Sequence, residues 1–363
     1  MSLATVEWDA CVLEPHPNRE LEEYVRRGFG TVPSSVPYFT PVPWLVRAML
    51  SMSSLSSPLL HVDQQLSEVI GLVVSQDNSC RYCYGIQRLM LRVFGVAEAR
   101  IQRLEQGLLD AEIDPRAKSA LEFARRLSRA APLVSAGDAE PLLATGWAPI
   151  AVRELAFESS FHVFMNRLMT VPAIPYAPTE RLGDIRGLRW FGPLIRFDLM
   201  RRIRRARARF APLPPEQAAG PFEYLVRALG ALGGARALRE SLDAGFASPL
   251  LPRRAKWLVF AIVARGLGCK QAGDEAARGL AGEGLDEAKL EPILAHLRSP
   301  ELDPIESALV PFARGTIRGR PVQLQQHGRA LVERFEPEQI VEAIGVAALA
   351  NVVGRLGVVT QLG

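Results

Sequence analysis

The chain has 363 residues, 48% of them apolar and 23% charged, with a net charge of +4. This is the composition of an ordinary soluble globular protein, long enough for two domains with ample core. Four cysteines (Cys11, Cys80, Cys83 and Cys269) are too few for a disulfide scaffold, and the near-balance of arginines and acids gives little support to a nucleic-acid partner.

The start, MSLATVEWDACVLEPHP, has neither a basic n-region nor an apolar h-region, so no signal peptide is expected. A lone CxxC without a secretory signal reads as redox or metal chemistry in a reducing compartment, here the cytoplasm. The most apolar long stretch, Ile340–Val359, contains Glu342, Asn351 and Arg355. It is expected to be a buried core helix, leaving no integral membrane segment.

Taken in order, the first forty-odd residues are dotted with prolines, and a short helix is expected around Glu20–Arg27. Another begins at Pro43 and runs to Met52, and residues 53–58 form a loop. Leu66–Gln76 is helical by its apolar run, and Cys80–Phe94 follows as a helix ending near Gly95. Ala97–Gly107, Pro115–Ala130 and Ile150–Thr170 repeat apolar residues at helical spacing. Gly95, Gly107 and Gly146 sit where helices should end or turn. No run of alternating strands with hairpin turns occurs. The expected fold class is all-α.

An internal repeat is written into this pattern. Asp114-Pro115, Phe123-Ala124-Arg125 and Pro132 recur as Asp303-Pro304, Phe312-Ala313-Arg314 and Pro321, always 189 residues later, and Cys80 maps onto Cys269 at the same offset. Ser57-Pro58-Leu59-Leu60 resembles Ser248-Pro249-Leu250-Leu251, and Glu154 and Arg167 match Glu342 and Arg355, with shifts of one or two residues. The expected organisation is a tandem duplication: a first repeat over 1–178, an arginine-rich linker over 179–217 and a second repeat over 218–363. The linker crowds Arg196, Arg201, Arg202, Arg204, Arg205, Arg207 and Arg209 into one short segment. A basic amphipathic helix can bind a membrane surface or nucleic acid, or simply carry solvated and ion-paired arginines. No aromatic lies within Arg201–Arg209 to stack on bases, and no nucleic-acid partner is expected.

The chemistry concentrates in Glu68–Gln87, EVIGLVVSQDNSCRYCYGIQ. With Asn78 or Ser79 as N-cap, Cys80 falls at the first helical positions and Cys83 one turn later, and residues 80, 83 and 87 share a face. Unpaired N–H groups and the positive helix end favour a thiolate there. The spacing lets two sulfurs close a short disulfide, one attacking an oxidant and the other resolving the sulfenic acid. Glu68 lies on the preceding helix, expected to pack antiparallel against the cysteine helix. If buried among Val69, Ile70, Leu72 and Val73 it should have a raised pKa suited to accepting a thiol proton. The same residues also allow an exposed glutamate beside two structural cysteines. A zinc site would need two ligands beyond the CxxC, for which there is neither a second Cys pair nor an HxxxH.

Glu68, Cys80, Cys83 and the Tyr82 between them resemble the active-site pattern E-x11-C-x2-C-x3-H of the alkylhydroperoxidase D-like branch of the carboxymuconolactone decarboxylase superfamily. Phe164-Met165-Asn166-Arg167-Leu168 is similar to the segment that closes the domain in many members. The resemblance covers about 45–175 and, through the duplication, extends more weakly over about 245–360. It implies an all-helical alkylhydroperoxidase D-like domain, thiol peroxidase chemistry and no cofactor. Cys83 would be the peroxidatic thiolate, Cys80 the resolving cysteine attacked by an external reductant, and Glu68 the base acting on Cys83 directly or through a relay. Implied partners are a peroxide substrate, a dithiol, lipoyl or thioredoxin-like reductant, and further copies of the chain in a homo-oligomer.

One position departs from the pattern. The family's histidine falls at Gln87, and glutamine does not carry a proton at neutral pH. His61, two turns before Glu68, and His162, on the late helix before Asn166, are the candidate substitutes. The second repeat departs further: Ala272 replaces the second cysteine, Trp257 the acid and Ala276 the histidine position. It reads as a degenerate structural half supplying the interface that a second subunit would otherwise provide. Two rivals stand beside the redox reading: a lactone decarboxylase-like acid–base enzyme, which has no use for the CxxC, and a non-catalytic helical scaffold.

Overall fold

Many helix starts in this chain are marked by aspartate or proline. Asp63, Asp114, Asp286 and Asp303 each accept a backbone N–H of the first turn, and proline occupies the first turn of several other helices, where its missing N–H costs nothing. The computed structural model describes residues 3, 6–107, 113–175, 188–318 and 320–360, and among these there are helices and short turns but no strands.

In chain order the first half holds α1 (Arg19–Phe29), α2 (Pro43–Ser51), α3 (Gln64–Asp77), α4 (Arg81–Val93), α5 (Glu98–Gln106), α6 (Pro115–Arg129), α7 (Glu140–Ala144) and α8 (Pro149–Thr170). Helix α9 (Leu188–Ala208) follows. The second half holds α10 (Glu223–Ala228), α11 (Gly234–Ala247), α12 (Arg253–Leu267), α13 (Lys270–Gly282), α14 (Glu287–His296), α15 (Pro304–Gly315), α16 (Pro321–Val332) and α17 (Pro337–Thr360). The helices expected from periodicity are present, with ends moved by one or two residues. The boundary drawn at 178/179 lies outside the described residues, and the one at 217/218 falls in a short turn, Pro215–Ala218.

Helices α8 and α17 form the central pair. Around α8 pack α3, α4 and α6; around α17 pack α12 and α13, with α15 packed on α12. One hydrophobic core runs without interruption from Leu13 through Phe164 and Trp257 to Val359. Helix α17 is long and apolar enough to cross a membrane by length and composition, but its apolar stretch is spent inside this core.

Buried polar groups lock the halves together. Arg167 on α8 is fully buried and donates to the Thr316 and Ile317 carbonyls beyond α15, at 2.6 and 3.3 Å. Arg355 on α17 is equally buried and donates to the Leu127 and Ser128 carbonyls at the end of α6, both at 3.2 Å. Each half's arginine thus satisfies orphan carbonyls at the helix end of the other half. Glu154 on α8 accepts the backbone N–H groups of Leu60, His61 and Val62 at 2.6–2.7 Å and so fixes the entry to α3. Its counterpart Glu342 instead faces Lys256 Nζ at 2.8 Å and Trp44 Nε1 at 2.6 Å, with lysine and glutamate both out of water.

Removing one partner of that pair strands a buried charge. Lys256→Met is expected to lower unfolding stability by about 3–5 kcal/mol, and adding Glu342→Gln should return most of the loss; denaturant titration of the two variants checks both.

Candidate functional site

Cys80 is itself the N-cap of α4: its Sγ accepts the Cys83 N–H at 3.4 Å. The helix therefore starts at Arg81, one residue later than expected, and the cap is neither Asn78 nor Ser79. Ser79 takes a left-handed turn, φ +52°, that reverses the chain between α3 and α4, and the Cys80 N–H bonds back to Ser75 O at 2.9 Å. The two sulfurs lie 2.7 Å apart, both free and buried. Beside them the Tyr82 hydroxyl reaches Ser35 Oγ at 3.1 Å, pinning residues 34–35 over the start of α4.

Burial, reinforced by the neighbouring Cys80, holds the Cys83 thiol well above its usual range. The helix end alone would lower it, as expected from the sequence, but desolvation outweighs that effect. Reduced Cys83 is a thiol in this structure and needs a base. The buried cation near the pair is Arg167, which interacts electrostatically with Cys80 and is itself brought down to about 10 by burial.

The acid cluster gathers on Gly71. A methyl group there would lie 2.6 Å from His162 Cε1 and 2.7 Å from Gln87 Cδ, so α3 needs a glycine for ring and amide to meet. Glu68 lies one turn before Gly71 and accepts from Gln64 Nε2 at 2.9 Å. Burial pushes its carboxyl up to about 7; Gln64 and His162 pull the other way, and Glu158 adds to the rise. His162 Nε2 lies 3.2 Å from Glu158 Oε1, within charge-pairing distance but not aligned as a hydrogen bond. Glu158 is fixed by Ser67 Oγ, which donates to it at 2.5 Å.

A seam emerges along the parallel helices α3 and α8. Ser67 meets Glu158, Gly71 meets His162 and Ser75 bonds Asn166 at 3.2 Å, each pair 91 residues apart. The seam ends where Asn78 Oδ1 accepts from Arg167, at 3.0 Å, beside Cys80. Several of its atoms, Gln87 Oε1, Glu158 Oε2, His162 Nε2 and Asn166 Nδ2, are buried with no hydrogen-bond partner among the described residues. Such orphans gather at functional sites more than in ordinary core.

The structure thus brings together Glu68, Gln87 and His162, and sets Cys83 one turn, about 6 Å, back along α4 from Gln87, with Cys80 at the helix start. Neither Glu68 nor His162 makes a hydrogen bond to either sulfur. His61 is not part of the group. Helix α3 begins at Gln64, so His61 lies outside it, exposed, and gives its backbone N–H to Glu154. Gln64 takes the place one turn before Glu68. Reading the sequence missed Glu158, Gln64 and Gly71; the available signal was a polar residue every four positions along α8 (Glu154, Glu158, His162, Asn166, Thr170).

In the second half the same register is apolar. Val346, Ala350, Gly354 and Val358 stand on α17 where α8 carries the last four residues of that polar stripe, and Trp257 packs at a tilt against Phe246, 4.3 Å between ring centres, where α3 carries Glu68. Cys269 is buried against Gly357 and Tyr224, without a second sulfur. A surface groove of about 790 Å³ opens beside Trp257, far from any paired thiol. Arg227 and Arg253 on its wall are already paired with Glu223 and Glu283, at 2.6 and 3.4 Å.

No protein-family model matches the chain. No curated protein matches it either. Among solved structures it is similar to the alkylhydroperoxidase AhpD core of an uncharacterized peroxidase-related protein from Ralstonia eutropha JMP134, at 21% identity and a TM-score of 0.43, over 48% of this chain and 96% of that one. It is also similar to an uncharacterized peroxidase-related protein from Silicibacter sp. TM1040, at 22% identity and a TM-score of 0.41, over 46% of this chain and 89% of that one.

The buried acid makes stability depend on pH. Folded Glu68 keeps its proton up to about 7, whereas the unfolded carboxyl loses it near 4.5. The folded state binds the extra proton between those values, so this contribution is complete at low pH and is lost as pH rises through 7. Glu68→Gln is therefore expected to be more stable than the parent by about 3 kcal/mol above neutrality and equal to it near pH 4, read from urea midpoints at the two pH values.

Proposed function

We propose that the chain is a thiol-dependent peroxidase that cycles Cys80 and Cys83 between dithiol and disulfide, with Glu68 as the base. The observation that carries this reading is a buried, reduced cysteine pair, 2.7 Å between sulfurs, one helical turn from a cluster whose carboxyl is tuned to about 7. A carboxyl at that value is half charged at neutral pH and can both take and return a proton.

The proton from Cys83 passes to Glu68 through a relay, because the acid does not touch the sulfur. His162 fills the part that glutamine at 87 does not: it is the ring that meets Gln87 over Gly71, and Glu158 stands ready to stabilise its charged form. The Cys83 sulfur attacks one peroxide oxygen and the O–O bond breaks. The departing oxygen takes the relayed proton and leaves as alcohol or water, while Cys83 becomes a sulfenic acid. The Cys80 thiol then displaces that hydroxyl as water and closes the disulfide. An external dithiol reopens it by attack at Cys80, each turn oxidising one dithiol and reducing one peroxide. We further propose that the halves arose by duplication, with the second half retained as a structural partner to the first.

Two tests bear on the chemistry. Peroxide at modest excess should remove two titratable thiols from the reduced protein, and Cys83→Ser should abolish this; thiols left intact in the parent would sink the proposal. Loss of thiols should accelerate as pH rises, with a midpoint near 7, and His162→Gln or Glu68→Gln should slow it by roughly 10²-fold or more while flattening that pH profile, measured by stopped flow.

A further inference from the structure

Helix α9 lies outside the redox site and has its own design. It rests on α4 through Leu199 and Ile203, which pack against Phe94 with Leu55, Met90 and Val93 at the edge. Its opposite side faces solvent. There Leu194 and Phe197 are 66% and 68% exposed, with Ile195 at 43% beside them. These are large apolar side chains held open within a single turn, which costs solubility unless something covers them. One and two turns further along, the same side presents Arg201, Arg204 and Arg205, all exposed.

The charge is as uneven as the hydrophobicity. From Leu194 to Arg209 there are seven arginines and one acid, Asp198, a net +6 in a chain whose total is +4. Asp198 engages Arg201 and Arg202, at 2.9 and 2.7 Å. Arg202 and Arg207 also turn inward, donating to the carbonyls of Arg27 and Leu59 at 3.0 and 2.8 Å. Arg204, Arg205 and Arg209 have no acidic partner among the described residues. The helix therefore spends Arg202 and Arg207 on anchoring, pairs Arg201 with Asp198, and leaves Arg204, Arg205 and Arg209 for a ligand.

We infer that the outer face of α9 docks on the surface of a bilayer containing acidic lipids. Leu194 and Phe197 enter the headgroup boundary, and the outward arginines meet the lipid phosphates. The exposed Leu194–Phe197 pair, continuous with a guanidinium row, matches an interface that is apolar below and anionic above. A nucleic-acid backbone would satisfy the arginines but gives the exposed leucine nothing to enter. The docked helix is the one resting on the CxxC helix, so binding places the α4 side of the molecule toward the bilayer.

The test is sedimentation of the full chain with phosphatidylcholine vesicles, pure or carrying about a third phosphatidylglycerol. Binding is expected to the acidic vesicles and to be at least about tenfold weaker on the neutral ones, and raised salt should release it. Arg201→Gln with Arg204→Gln and Arg205→Gln should weaken it about tenfold or more, since each basic residue near an acidic surface is worth several-fold. Leu194→Ser with Phe197→Ser should weaken it comparably, with unchanged thermal midpoints showing that both variants fold. The inference is overturned if either variant binds as the parent does. It also fails if a short DNA duplex is bound more tightly than acidic vesicles. A third outcome against it is a solution dimer that the Leu194→Ser, Phe197→Ser variant converts to monomer, because the patch is then covered by a second copy.

Discussion

Two guanidiniums buried in the middle of a helical protein must find acceptors, and here each finds them across the molecule. Arg167 depends on carbonyls beyond α15 and Arg355 on carbonyls at the end of α6, and both donate to Ile317 O. Unpaired, either charge would carry a desolvation penalty of several kcal/mol. Each half therefore satisfies its central charge only when the other is folded against it, and the continuous core follows from the same constraint. Burial lowers the proton affinity of both arginines, Arg355 further through the nearby charge of Arg167.

That constraint fixes α8, and α8 fixes the site. Once Arg167 is held against Asn78 and Glu154 against the start of α3, the two helices are pinned at both ends in parallel register. Glu158, His162 and Asn166 then fall opposite Ser67, Gly71 and Ser75 without further choice. The histidine is in place because of two anchors that never touch the thiols. The environment also divides the labour. Burial raises both Glu68 and Cys83, which favours the neutral thiol in the resting state.

Much of this was legible in the chain. Periodicity marks the helices, the spacing of Glu68, Cys80 and Cys83 marks the candidate site, and the 189-residue offset links markers in the two halves. What was not legible depended on contacts between distant residues. His61 and His162 looked equally placed, because whether α3 extends to residue 61 is decided by Asp63 capping it and Glu154 capturing the turn before it. Glu158 and Gly71 carry no motif, and their role exists only once α3 lies on α8. The thiol was expected to be lowered by the helix end, an effect readable from sequence; the burial that reverses it is a property of the assembled core.

The second half supplies an internal control for the polar seam. Helix α17 packs on α12 as α8 packs on α3, yet it does so with Val346, Ala350 and Gly354 in place of Glu158, His162 and Asn166. The packing of these helices therefore does not need polar residues at those positions. Each orphaned polar atom in the first half costs about 1–3 kcal/mol relative to such an apolar solution. A marginally stable protein that keeps several of them on one seam, in the half that also keeps both cysteines and the acid, keeps them for what they do there. The second half, which has one cysteine at the corresponding positions and Trp257 at that of the acid, carries instead an aromatic cluster of Phe222, Phe246, Trp257 and Phe260. The polar seam and the thiol pair thus occur in the same half and are both missing from the described residues of the other.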